Sequence, residues 1–331
     1  MMNAKESNLV SPEQVLAMVR RAFGPEVEVN TIHPIAGGTV NTVFRLTLAD
    51  GQQVILRVAP PRRNSPWNWN ETYLMRREHA IQPFFAPVAH LMPRCLFVDF
   101  THQILDRDYM IQQYLAGERW DHIAGELSSM ENDILWQQFG GLLKQIHNVE
   151  GSIFGLPYPG LDFPSWSQTV LKRFEYTEQL AARAQVIIPH FEEILNIVRL
   201  HADVLDEIRI PKLLHGDLWL FNLLVVRDAA GPRITGLLDA DLAWWGDPVA
   251  DWTMFLLLHV KPPESIGYET SFWRAYGSEP DHTPGGQFRL NTYMAMHASS
   301  AVLWANQHAD QDTLKHASRT LAEAASYLAA Y

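Results

Sequence analysis

Apolar residues change their spacing along the chain, and each change predicts a different element. Val15, Met18, Val19, Ala22 and Phe23 recur at helical spacing. Ser11-Pro12 and Gln14 ahead of them supply a capping hydroxyl, a proline at the first helical position and an amide able to cap in return. Gly24-Pro25 ends that helix. The period then shortens to two. Phe44, Leu46 and Leu48 alternate with polar residues, Asp50-Gly51 supplies a turn, and Val54, Leu56 and Val58 alternate again, which predicts a β-hairpin. Residues 60–70, rich in Pro and Asn, predict a loop. Leu74, Glu78, Ile81 and Phe85 share one stripe of a helix expected to stop before Pro87. Arg94–Asp99 and Asp108–Tyr114 predict two more strands around a polar turn.

Beyond Gly117 the texture turns helical. Ile134, Leu135, Phe139, Leu142, Leu143 and Ile146 keep a 3.6-residue period, as do stretches over 165–182 and 190–208 and the chain after Gln287. One β interruption is expected in this half, where Leu223–Val226 and Arg233–Leu238 flank Asp228-Ala229-Ala230-Gly231-Pro232 as a second hairpin. No internal repeat or low-complexity tract occurs. The pattern predicts two lobes: residues 1–112, a connector at 113–117, and residues 118–331. Ligands favour the cleft between such lobes.

The length of 331 residues suits two domains, or one large one, at roughly 100 to 200 residues each. With 47% apolar and only 19% charged residues the chain can build a large core and is not disordered. Lys and Arg number 26 against 37 Asp and Glu, so the net charge of −11 argues against an extended nucleic-acid footprint. Cys95, the only cysteine, excludes an internal disulfide and a cysteine-clustered zinc site. The first 15 residues lack the apolar core of a signal peptide. The apolar run near Met254–Val260 is far short of the ~18–20 residues that cross a bilayer. A cytoplasmic protein without membrane partners is expected, of open oligomeric state.

The most informative segment is Leu213-Leu214-His215-Gly216-Asp217-Leu218-Trp219-Leu220-Phe221-Asn222, followed by Leu238-Asp239-Ala240-Asp241. Asp217 and Asn222 stand at the ends of a loop, and Asp239 ends the hairpin that begins after Asn222. A hairpin returns the chain to its start, so two carboxylates and a carboxamide oxygen can meet in one site. Hard oxygens of this kind suit Mg²⁺, which takes one or two protein carboxylates beside waters and substrate phosphates.

With Trp245-Gly246-Asp247-Pro248 and Asp251 downstream and Gly37-Gly38-Thr39-Val40-Asn41 upstream, these segments resemble the aminoglycoside phosphotransferase and choline kinase-like family. The resemblance implies an α+β, bilobal protein-kinase-like fold, with an N-terminal five-stranded antiparallel sheet and a larger, mostly helical C-terminal lobe. It implies that Asp217 accepts the proton of, or orients, an attacking hydroxyl, and that Asn222 and Asp239 hold magnesium ions bridging the phosphates of ATP (GTP is an open alternative). His215 would brace the loop. Gly37, Gly38, Thr39 and Asn41 would cover the phosphates, where glycines let backbone N–H groups approach closely. Arg57 stands where many members carry Lys, and a guanidinium keeps a fixed charge that can grip phosphate oxygens in two places. It needs a carboxylate: Glu78 lies on the apolar stripe of its helix, and Glu71 competes one to two turns earlier. The connector resembles a hinge whose Gln113 carbonyl and Leu115 N–H read adenine.

Asp247 and Asp251 are expected to hold backbone, and Asp241 to face either metal or substrate. Trp244, Trp245, Trp252, Trp273 and Trp304 are expected to pack in the core rather than to form an aromatic acceptor wall. The implied activity is phosphoryl transfer to a hydroxyl of a small molecule, with aminoglycoside-, choline-, sugar-amine- and macrolide-like acceptors all open. A catalytically silent nucleotide-binding regulator on the same fold and a metal-dependent hydrolase are the competing readings.

Overall fold

The computed structural model describes residues 10–35, 40–61, 74–156, 162–256 and 269–331. Helix α1 (Pro12–Phe23) forms as its sequence predicts: the Gln14 N–H donates to Ser11 Oγ at 3.3 Å, and the Ser11 N–H donates to Gln14 Oε1 at 2.9 Å. Its buried face of Val15, Met18 and Val19 packs on Leu46, Val54 and Leu56. Burial of such a side chain contributes roughly 1.5–3 kcal/mol. Strands β1 (Val29–Ile35), β2 (Thr42–Leu48), β3 (Gln53–Val58), β4 (Cys95–Asp99) and β5 (Tyr109–Gln113) form one antiparallel sheet in the order β1-β2-β3-β5-β4. Side chains alternate across a strand, so β3 turns Val54 and Leu56 toward α1 and Arg57 to the opposite face. There Arg57 meets helix α2 (Leu74–Ile81).

The stripe through Phe85 does not remain α-helical up to Pro87. The α-helix ends at Ile81, and a 3₁₀ stretch, Gln82–Leu91, carries the chain through Pro87. Pro83 and Pro87 lack the N–H groups that an α-helical ladder needs, whereas buried Phe85 and Val88 hold the looser coil in place.

The second half contains β6 (Glu118–Arg119), α3 (Trp120–Ile123), α4 (Ser129–His147), β7 (Phe154–Gly155), β8 (Asp162–Phe163), α5 (Trp166–Ala184), α6 (Phe191–Leu200) and α7 (Ala202–Leu205). It continues with β9 (Lys212–Leu214), β10 (Leu223–Asp228), β11 (Gly231–Leu237), β12 (Trp244–Gly246), α8 (Val249–Leu256), α9 (Glu269–Tyr276), α10 (Pro284–His308) and α11 (Gln311–Ala329). The expected hairpin is β10–β11, but it is not the sole β interruption. β6 extends it to three strands, and β8-β7-β12-β9 form a second small sheet. Strands of two or three residues are too short to leave a period-two signature. The helical stretch over 190–208 breaks into α6 and α7 at His201.

Trp120, Trp136, Phe139 and Phe272 centre one core cluster, and Trp166, Trp244, Phe288 and Tyr293 another. Trp244, Trp245 and Trp252 are thus core residues as expected, whereas Trp304 is exposed and stacks on His308. Among the described residues no helix is long and apolar enough to cross a membrane.

Candidate active site

Strand β3, helix α2 and the turn after β11 converge on one guanidinium. Arg57 Nη1 donates to both carboxylate oxygens of Glu78, at 2.8 and 2.7 Å, and Nη2 lies 3.0 Å from Asp239 Oδ1. Gln112 on β5 donates to Glu78 Oε1 at 3.3 Å. Burial opposes the Arg57 charge, but the carboxylates of Glu78, Asp239 and Asp241 outweigh it and hold the group above its ordinary value. Of the two candidates for Arg57, Glu78 is the partner in place; Glu71 lies outside the described residues.

The β10–β11 ribbon does return to its origin. The Leu238 N–H donates to the Asn222 carbonyl at 2.9 Å, which sets Asp239 beside Asn222. Asn222 Nδ2 donates to the Asp217 carbonyl at 2.7 Å and to Asp217 Oδ2 at 2.9 Å. Trp219 Nε1 donates to Asp217 Oδ1 at 2.6 Å. Burial pushes the half-buried Asp217 carboxyl up to about 6, against the pull of those two side-chain hydrogen bonds, and the charges of Asp239 and Asp251 add to the rise. Asp239 adopts a left-handed conformation, φ 58° and ψ 56°, uncommon outside glycine and most often tolerated where a site requires it.

With its amide nitrogen committed to Asp217, Asn222 keeps its carboxamide oxygen as an acceptor. Asp239 keeps one oxygen not engaged by Arg57, on a side chain 47% exposed. Among the described residues no group of three or more His, Cys, Asp and Glu could hold a metal ion. The two oxygens fit a hard divalent cation that takes one or two protein ligands and completes its shell from water and phosphate.

The loop before Asp217 is pinned from below. Asp251 Oδ2 accepts from the His215 N–H at 2.7 Å and from His147 Nε2 at 3.1 Å, and Oδ1 accepts from the Gly216 N–H at 2.8 Å. Gly216 sits at φ 80°, and a Cβ there would lie 2.2 Å from the Leu242 carbonyl, so only glycine lets this loop meet the turn after Asp239. The buried His215 ring packs edge-on to Phe85, and burial holds its pKa below the ordinary value. Asp247 Oδ1 accepts from the Val249 N–H at 3.1 Å and Oδ2 from Tyr293 Oη at 2.8 Å. Both Asp247 and Asp251 therefore hold structure, as expected. Asp241 sits close enough to Asp239 and Glu78 that burial and those charges push its carboxyl well up.

Gly37, Gly38 and Thr39 lie outside the described residues, and Asn41 immediately precedes β2. Gln113 ends β5, with its N–H donating to the Arg94 carbonyl at 2.9 Å, and half-buried Leu115 follows. The connector is fastened to the ribbon: Thr235 Oγ1 donates to the Ala116 carbonyl at 2.9 Å. A Cβ on Gly117, at φ 143°, would lie 2.9 Å from Thr235 Oγ1.

Trp219 was not foreseen. An indole two residues after Asp217 reads as one more apolar loop residue, and only the folded loop brings its N–H onto the carboxylate. Trp219→Phe removes a donor to the ionised form, a contact worth about 1.5–3 kcal/mol. The Asp217 carboxyl is therefore expected to rise further above 6, by about one pH unit or more at 1.36 kcal/mol per unit. Titration of the Asp217 carboxyl resonance checks this, and an unmoved midpoint would contradict it.

The sheet, the braced loop and the returning ribbon make up an α+β kinase-like fold. The chain belongs to the phosphotransferase enzyme family, whose sequence model matches residues 31–290. A protein of Lactiplantibacillus plantarum assigned as a ketoamine kinase is 24% identical over 287 residues, covering 81% of this chain and 86% of that one. The aminoglycoside phosphotransferase APH(4)-Ia, solved as a thermostable mutant with AMP-PNP and hygromycin B, superposes with a TM-score of 0.70 at 17% identity, covering 96% of this chain and all of that one. A Haemophilus somnus protein assigned as a fructosamine-3-kinase gives a TM-score of 0.66 at 15% identity, covering 94% and 97%. The α+β kinase-like fold and the phosphotransferase class expected from the sequence both hold.

Proposed function

We propose that the protein transfers the γ-phosphoryl group of ATP to a hydroxyl of a small molecule, a sugar-derived amine of the ketoamine type. The observation that carries the reading is the Leu238-to-Asn222 hydrogen bond, which closes the ribbon and sets Asp217, Asn222, Asp239 and Arg57 around one space. Phosphoryl transfer needs positioning and charge neutralisation more than covalent chemistry, and these four side chains offer both. Asp217, near 6, is ionised at neutral pH yet basic enough to orient or accept the proton of an attacking hydroxyl. Arg57, steadied by Glu78, holds phosphate oxygens. Mg²⁺, held by Asn222 and Asp239, would supply neutralisation of the phosphate charge. In this reading residues 1–112 bind nucleotide, 113–117 are the hinge, with Gln113 and Leu115 reading adenine through backbone groups, and 118–331 carry the acceptor site. Gly37, Gly38, Thr39 and Asn41 cover the phosphates.

Nucleotide use is supported by the AMP-PNP complex of APH(4)-Ia, and the ketoamine acceptor by the L. plantarum relative, matched over most of both chains. Screening ketoamines, aminoglycosides, choline and macrolides for acceptor-dependent, Mg²⁺-dependent release of ADP tests the proposal. Release is expected with a ketoamine. Tight Mg-ATP binding with no release for any compound would instead identify a silent nucleotide-binding regulator.

A further inference from the structure

We propose that Tyr276 is a positioning residue for phosphoryl transfer: its hydroxyl orients the buried His147 imidazole, which holds Asp251 and, through it, the backbone that aims Asp217. This rests on the phosphotransferase reading above and adds to it a residue from helix α9.

Tyr276 is the last residue of α9, and its neighbours fix its ring. Trp252 meets it edge-on at 5.0 Å between ring centroids, and Phe272 stacks on it at 5.9 Å. Helix α9 sits directly on α4 because Gly140 leaves room: a Cβ there would lie 2.3 Å from the Phe272 carbonyl oxygen. The Tyr276 hydroxyl then lies 2.8 Å from His147 Nδ1, at the end of α4. Burial, with the charges of Asp251 and Asp247, keeps the Tyr276 pKa above its ordinary value, so the phenol stays protonated and donates. A ring nitrogen that accepts this proton leaves the imidazole N–H on Nε2, which lies 3.1 Å from Asp251 Oδ2. Buried Asp251 also accepts from the His215 and Gly216 N–H groups, the second one residue before Asp217.

A carboxylate out of water keeps its place only while donors meet its oxygens. Without the Tyr276 hydroxyl, His147 Nδ1 is a buried acceptor left unmet. The ring relieves this by turning or by taking up a second proton, and either one alters how Asp251 is held. A shift of the Gly216 peptide then carries the Asp217 carboxylate off its line to the attacking hydroxyl. Small misplacements of this kind lower a rate from a distance. Arg57, steadied by Glu78 and Asp239, stands outside this chain of contacts.

Tyr276→Phe keeps the ring and removes only the hydroxyl, which makes it the test. With an acceptor that supports turnover, kcat is expected to fall about tenfold while KM for Mg-ATP stays within about twofold. In a His147→Leu background the same substitution should change kcat by less than about twofold, because the group it acts through is gone. An unchanged kcat in Tyr276→Phe, a loss carried by KM for Mg-ATP, or an equal tenfold loss in the His147→Leu background overturns the proposal. A second measurement needs no turnover. The Gly216 amide proton, drawn downfield by its bond to Asp251, should move upfield in Tyr276→Phe, and a resonance left at its wild-type position refutes the proposal. If no acceptor is phosphorylated, the phosphotransferase reading fails by itself, and this resonance alone decides whether Tyr276 positions the loop.

Discussion

Asp217→Ala is expected to lower kcat by about 10²–10⁴-fold, the usual worth of a positioned general base, while Mg-ATP affinity stays within severalfold. The reason lies in how the carboxylate is held. One oxygen takes the Trp219 indole N–H and the other the Asn222 amide, so the side chain is aimed before any substrate arrives. Neither bond reaches toward Arg57, which is steadied separately by Glu78 and Asp239, so the phosphate grip survives the loss. The same environment sets the pH dependence. Burial places the carboxyl near 6, so it is ionised above that value and protonated below it. A protonated carboxyl cannot accept the hydroxyl proton, and wild-type kcat/KM should fall about tenfold per unit below pH 6, with a plateau above. Unchanged turnover in Asp217→Ala, or a flat profile down to pH 4.5, would remove Asp217 from the role of base.

Much of this site was legible because its residues sit where simple periodicities place them. Arg57 follows Leu56 in an alternating strand, and alternation alone turns it away from the α1 core toward a helix bearing Glu78. Asp239 ends a hairpin that starts beside Asn222, and hairpins return. What the sequence could not show were contacts that cross between elements without any local period. The indole on Asp217, the Arg173–Trp244 stack and the clasp of Asp251 on two loop N–H groups each join residues whose relation appears only after folding. The short strands escaped for a related reason. β9 and β12 have three residues each, too few to alternate visibly, and tertiary pairing rather than propensity extends them. The 3₁₀ passage through Pro87 shows the converse case, in which buried Phe85 and Val88 keep a coil that proline alone would end.

Asp239→Gly is the sharpest separation of binding from folding that this site allows. A non-glycine residue in the left-handed region carries a cost of about 1–2 kcal/mol, which glycine relieves. Against that gain stands the ion pair with Arg57, formed by a side chain 47% exposed and therefore worth about 0–1 kcal/mol. Arg57 retains its two bonds to Glu78, so no buried charge is orphaned. The variant should accordingly unfold in denaturant within about 1 kcal/mol of the wild type. Its affinity for ATP with Mg²⁺ present should nevertheless drop by about 10²-fold or more, since even partners one shell away from a metal change affinity 10–100-fold. With chelator in place of Mg²⁺ the two proteins should bind the nucleotide alike, because the lost oxygen then has no cation to hold. Calorimetric titration in both buffers decides: a loss of equal size with and without Mg²⁺ would show that Asp239 acts through Arg57 and the phosphates, and would transfer the metal-holding role away from it.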